Sequence, residues 1–157
     1  MIRLETMTRQ MCHEFYQEFQ NDPAIYMDMS RFSEFVYSKE WVDAYYDRQV
    51  EKGRLLFAIV ADGQMVGEVK LYDIRKETGE CTLGIHLRND SVKGKGYGTQ
   101  AEKLAVEYAL EVLGMHRVFA EAVQKNTRSQ HVLEKAGFRF LREDETYKYY
   151  SIEKAKK

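Results

Sequence analysis

The sequence predicts a single α/β domain over residues 1–157, a mixed sheet with helices on both faces. Three observations carry this. Two strand-like runs, Leu55–Ala61 and Met65–Ile74, meet at Asp62-Gly63, a strong hairpin signal. A third run, Glu80–Leu87, leads through a glycine-rich loop into a long amphipathic segment at Gly98–Leu113. Strand-like runs then return at Arg117–Val123, Phe138–Leu141 and Tyr147–Ile152.

The remaining elements follow in order. Ile2–Thr6 reads as a short first strand. Thr8 can cap a helix reaching about Gln20, with Met11, Phe15 and Phe19 four apart on one face. Asn21-Asp22-Pro23 ends it. Phe32 to Lys52 has a helical period, with a break expected near Ser38. Its apolar positions include Phe35, Val42, Tyr45, Tyr46 and Val50. In Gly98–Leu113 the inward stripe is Ala101, Leu104, Ala105, Tyr108 and Val112. Ser129–Ala136 reads as a short helix before the closing hairpin.

Composition bounds the function. The 157 residues suit one domain with a substantial core, and 44% apolar with 31% charged residues is an ordinary globular balance. There is one Pro, and a tail is expected only at Lys154–Lys157. No apolar run is long enough to span a bilayer, and Met1-Ile2-Arg3-Leu4-Glu5 starts no signal peptide, so no membrane association is expected. Cys12 and Cys81 have no metal-ligand or redox spacing and read as reduced thiols of a cytoplasmic protein. A net charge of −1 gives no general attraction to nucleic acid. The front is acidic: nine carboxylates from Glu14 to Glu51 face only Arg31, Lys39 and Arg48. The segment from Arg88 onward is mildly basic. That split suits a cationic acceptor at the front and an anionic cofactor behind.

The sharpest motif is Lys93-Gly94-Lys95-Gly96-Tyr97-Gly98-Thr99. Three glycines let the backbone turn tightly beside a ligand, and the helix behind them offers free N–H groups to a phosphate. It is not a nucleoside-triphosphate loop, because no Lys stands between the last Gly and Thr99. It is not a dinucleotide fingerprint either, because Gly94, Gly96 and Gly98 are spaced by two. Some thirty residues on stands Asn126-Thr127-Arg128-Ser129-Gln130-His131-Val132-Leu133-Glu134-Lys135-Ala136-Gly137-Phe138.

Together the two motifs resemble the GNAT superfamily of acyl-CoA-dependent N-acetyltransferases. Lys93-x-x-Gly96-x-Gly98 is similar to its Q/R-x-x-G-x-G/A signature, with Lys in place of Gln or Arg. Asn126 to Phe138 is similar to N-x-x-S/A-x-x-x-x-E-K-x-G-F at every defined position. The resemblance implies a mostly antiparallel sheet splayed at the cofactor site. It implies acetyl-CoA (coenzyme A) as cofactor, with its diphosphate on the amides of Gly94, Lys95, Gly96, Tyr97 and Gly98. Thr99 would add a hydroxyl, and Lys93 and Lys95 would add charge. The pantetheine arm would pair with Ile85, His86 and Leu87, and a backbone N–H at His86 or Leu87 would face the thioester carbonyl. Asn126 would bond the pantetheine or the strand edge, and Lys135 would reach the 3′-phosphate or the ribose. A homodimer is compatible with the family; no sequence feature dictates one.

Direct attack by a neutral amine needs no covalent enzyme intermediate. Many relatives carry a Tyr where Leu133 stands here, and Leu133 resembles the ribosomal-protein N-terminal acetyltransferase branch. Ser129 is then the candidate for contact with the leaving group. The Glu common on the strand before the loop is replaced by Thr82, leaving His86, Glu68 and Glu80 as candidate bases. The acceptor pocket is expected in the aromatic front region, with Tyr26, Asp28, Phe32 and Trp41 offered to a cation. The acceptor is expected to be a small cationic amine or a peptide N-terminus. An acyl-CoA-binding module with little or no turnover is the alternative. A nucleic-acid-modifying acetyltransferase would need a basic stripe that the sequence lacks.

Overall fold

The computed structural model describes residues 1–155. Of the tail expected at Lys154–Lys157, Lys156 and Lys157 lie outside the described residues.

Strand β1 (Ile2–Thr6) ends where Thr8 caps helix α1 (Arg9–Glu18), its hydroxyl accepting from the Met11 N–H at 3.1 Å. The chain then makes two 3-10 turns, Pro23–Ile25 and Met29–Arg31, capped by the carboxylates of Asp22 and Asp28. Helix α2 (Lys39–Glu51) starts at Ser38, whose hydroxyl accepts from the Trp41 N–H at 3.0 Å. The helical period expected from Phe32 onward is therefore not helix before Lys39. Asp28 and Ser38 compete for the local backbone donors and leave residues 32–37 without regular structure between two caps.

Strands β2 (Leu55–Ala61), β3 (Gln64–Arg75) and β4 (Glu80–Leu87) form an antiparallel meander with β1. The β2–β3 turn places both Asp62 (φ 52°) and Gly63 (φ 78°) in left-handed conformation, as a tight hairpin requires. Helix α3 (Tyr97–Glu107) runs into a π-helical turn, Tyr108–Val112. Leu104 and Val112, expected inward, are exposed, while Glu102 is buried on the stripe of Gly98, Ala101 and Ala105. Strand β5 (Arg117–Val123), helix α4 (Thr127–Lys135), β6 (Arg139–Glu143) and β7 (Tyr147–Glu153) complete the chain.

The seven strands run in the order β1-β2-β3-β4-β5-β7-β6, with only β4 and β5 parallel among the paired neighbours. Period-2 alternation divides the core between two faces. Phe57, Ile59, Val69, Leu71 and Leu83 pack under α3, while Leu56, Ala58 and Val60 pack under α1 and α2 with Phe15, Tyr16 and Val42. Cys12 and Cys81 are buried free thiols, one in each of these clusters. No helix among the described residues is long and apolar enough to cross a membrane.

Candidate active site

The sheet is split where β4 meets β5. These strands pair only through Glu80, Cys81 and Thr82 against Arg117, Val118 and Phe119. Beyond that point they diverge, and two cavities occupy the gap. The Arg88 N–H donates to the Val66 carbonyl at 2.8 Å, and Glu68 stands opposite His86. An antiparallel ladder alternates, so the His86 backbone faces β3. The amides of Ile85 and Leu87 turn toward the gap. Of the two expected carbonyl donors, the Leu87 amide faces the gap and the His86 amide does not.

The first cavity is a cleft bounded by Ile85, His86, Leu87, Lys93, Gly98 and the start of α4. Gly94 (φ 76°) and Gly96 (φ 81°) adopt left-handed conformations that free α3 to begin at Tyr97 without a side-chain cap. Its first-turn amides have no partner within the helix. Lys93 is not a free cation. Its Nζ lies 2.8 Å from Asp22 and 3.0 Å from Asp90, which fixes the loop to the front of the chain. Lys95 and Gly94 are exposed, and neither they nor Tyr97 and Thr99 line the cleft. Lys135 is exposed at the far end of α4. Asn126 caps α4, accepting from the Ser129 N–H at 3.1 Å, and Asn126 and Ser129 line both cavities. Arg128, which the sequence reading missed, also lines the cleft. Its signal was a cation in the first turn of a helix, where the dipole opposes it unless an anion is near.

The second cavity lies on the far side of the split and contains Glu68, Lys70, Tyr72, Glu121 and Tyr147. Glu68 is 1% exposed. Its Oε1 accepts from the Tyr45 hydroxyl at 2.7 Å and the Tyr16 hydroxyl at 3.2 Å, while Oε2 has no partner. Burial raises its pKa, against these hydrogen bonds and the charge of Lys70. Burial, then the nearby Lys70 charge, lowers His86 to about 4, so its imidazole is neutral at pH 7. The ring packs edge-on to Phe19, with centroids 5.7 Å apart. Glu80 lies at the other end of β4, 3.7 Å from Arg117, and lines neither cavity.

The front aromatics are mostly structural. Tyr26 packs against Phe32, and its hydroxyl accepts from the Asn21 amide at 3.0 Å. Asp28 caps its own turn, and Trp41 stacks on Tyr45 at 5.2 Å. None of these four lines either cavity; the front contributes Phe19, Gln20, Asp22 and Ile25 instead.

This arrangement, a glycine loop and a helix N-terminus beside a split sheet, has known counterparts. Residues 2–139 match the family described as acetyltransferase (GNAT) domain. The chain belongs to the GNAT acetyltransferase family. It is 35% identical over 78 residues to a probable N-acetyltransferase, YjcK, of Bacillus subtilis (strain 168), covering 50% of this chain and 43% of that one. It is 28% identical over 94 residues to spermidine N(1)-acetyltransferase of Escherichia coli (strain K12), covering 59% and 50%. This GNAT chain thus spans about half the length of the curated relatives it matches. Its fold is similar to the crystal structure of spermidine N-acetyltransferase from Vibrio cholerae in complex with CoA and spermine. The TM-score is 0.76 at 19% identity, over 97% of this chain and 95% of that one.

Proposed function

We propose that this protein transfers the acetyl group of acetyl-CoA directly to the primary amine of a small cationic acceptor. The observation that carries the reading is Glu68, a buried carboxylate with an unpartnered Oε2, in a cavity that shares its inner wall with the cofactor cleft. The residues fit coenzyme A. The Gly98 amide at the start of α3 and Arg128 would hold the diphosphate, and Ile85 and Leu87 would pair with the pantetheine amides. The Leu87 N–H would stabilise negative charge on the thioester carbonyl oxygen. Bound, the cofactor supplies an activated acetyl group. Glu68 accepts the proton that the attacking amine loses, and the two tyrosines hold its carboxylate in place. Glu68 outranks His86 as base, because burial strengthens it as a base and weakens the imidazole.

Two carboxylates, Glu68 and Glu121, against one lysine, Lys70, with Tyr72 and Tyr147 beside them, give the acceptor cavity an acidic, aromatic wall on balance, in keeping with a polyamine-like cation. The relatives named above include spermidine acetyltransferases, which favours this acceptor over the ribosomal-protein branch suggested by Leu133 and over a peptide N-terminus. The free thiols of Cys12 and Cys81 suit work in the cytoplasm.

The test is thiol release from acetyl-CoA against polyamines, aminoglycosides, amino acids and N-terminal peptides. Turnover on cationic amines supports the reading, and turnover only on neutral or acidic amines sinks it. Tight coenzyme A binding with no turnover on any of them makes the protein a binding module. With a good acceptor, Glu68→Gln is expected to lower kcat by about 100-fold while leaving the KM for acetyl-CoA nearly unchanged.

A further inference from the structure

The two cavities meet at Ile25, Ile85, His86, Glu102, Asn126 and Ser129. Donor and acceptor would meet at this wall, so a proton donor for the departing sulfur would stand here. Two of the six titrate. The His86 ring is unprotonated at neutral pH. The other is Glu102, one turn of α3 beyond Gly98, 1% exposed, with Oε1 lacking any hydrogen-bond partner. A buried carboxyl group with neither a donor nor a countercharge is costly unless it keeps its proton; Glu68, by contrast, has two tyrosine donors and Lys70 beside it. Charged and titratable groups reach the cavities from other elements: Asp22 and Lys93 from the loops, Arg128 from α4, Glu68, Lys70 and Tyr72 from β3, Glu121 from β5 and Tyr147 from β7. The shift on Glu102 comes from burial and lifts it to about 8.

We propose that Glu102 is a catalytic acid that donates its carboxyl proton to the leaving sulfur of the acyl donor. The step rests on the acetyl transfer proposed above. As the new C–N bond forms, the C–S bond breaks and its electron pair goes to sulfur. Glu102 supplies the proton that makes the free thiol, and Glu68 Oε2 takes the proton released by the amine. Both carboxyl groups then reset by proton exchange with water in the open cleft. An alkyl thiol near pKa 8.5 and an acid near 8 are matched for such a transfer.

The experiment uses Glu102→Gln, which keeps the shape and hydrogen-bonding capacity but has no acidic proton. The variant's kcat is expected to fall by about 100-fold. Its calorimetric Kd for coenzyme A is expected to stay within about twofold of the parent's. The alkaline limb of the parent's kcat profile should vanish in the variant. A kcat within about threefold of the parent's, or a Kd that weakens in step with kcat, overturns the assignment and makes Glu102 a positioning group. Infrared difference spectra separate this from the reading beneath it. At pH 7 the parent should show a protonated-carboxyl band that is missing from Glu102→Gln and that shifts when coenzyme A is added. If no amine is ever acetylated, acetyl transfer fails, yet the band still decides. A moving band keeps Glu102 at the sulfur, and an absent or unmoved band overturns it.

Discussion

Glu102 couples the chemistry of one side chain to the stability of the whole chain. Its pKa in the fold, about 8, is above the ordinary carboxyl value, so the folded state prefers the protonated form. The stability this contributes is complete below about pH 4.5 and is lost as pH rises through about 8. Glu102→Gln is neutral at every pH. Urea unfolding at pH 5 and pH 8.5 should therefore show the variant gaining on the parent as pH rises, by at most about 1.4 kcal/mol per pH unit. A constant difference would mean that the carboxyl titrates normally. Residues at this scale were unevenly legible. Asn126 and Ser129 stood out because a motif with fixed spacing carries them. Lys93 was legible as a lysine of the glycine loop, but its tie to Asp22, 71 positions away, lies beyond any local pattern. Glu102 was passed over because a carboxylate is not expected inward, although the helical period places it on the stripe of Gly98, Ala101 and Ala105.

At the scale of elements, two glycines on either side of the cleft should respond oppositely to the same substitution. A Cβ on Gly67 would stand 2.7 Å from the His86 carbonyl oxygen and 2.8 Å from Ile59 Cδ1, so backbone and core would both have to move. Gly67→Ala is expected to cost about 1–3 kcal/mol in urea unfolding and to weaken coenzyme A binding by displacing β4. A Cβ on Gly98 would meet only Val132 at 3.4 Å, so Gly98→Ala should fold and bind nearly as the parent does. Equal losses in both variants would refute this account of the cleft. Strand and hairpin boundaries were readable because turn residues and alternation are local signals. The start of α2 was not, because the aromatic spacing of Phe32–Tyr37 imitates a helix, while the caps at Asp28 and Ser38 decide the backbone.

For the whole molecule, the seam of three residue pairs between β4 and β5 leaves two halves of a sheet with little shared hydrogen bonding. A cofactor lying in the gap would bridge them. Ligand that binds only the folded state, at about 100 times its Kd, adds about 2.7 kcal/mol. Coenzyme A at that level should raise the melting midpoint by about 5–10 °C. No shift, with binding shown by calorimetry, would mean that the unfolded chain binds equally well. The architecture was legible as a whole because the two glycine- and asparagine-led motifs bracket the split. The acceptor wall was not, since Glu68, Lys70 and Tyr72 of β3, Glu121 of β5 and Tyr147 of β7 reach it from distant parts of the sequence.

The strand order also sets a timetable for synthesis. Strands β2, β3 and β4 each pair with the strand made just before, so the meander can assemble as it is translated. β5 cannot complete its pairing so early. β7 lies between β5 and β6, so the edge of β5 stays bare while α4 and β6 are being made. Until β7 has emerged, β5 is held only by its short seam with β4 and offers its other edge unpaired, and that interval is where a nascent chain of this protein would most need a chaperone.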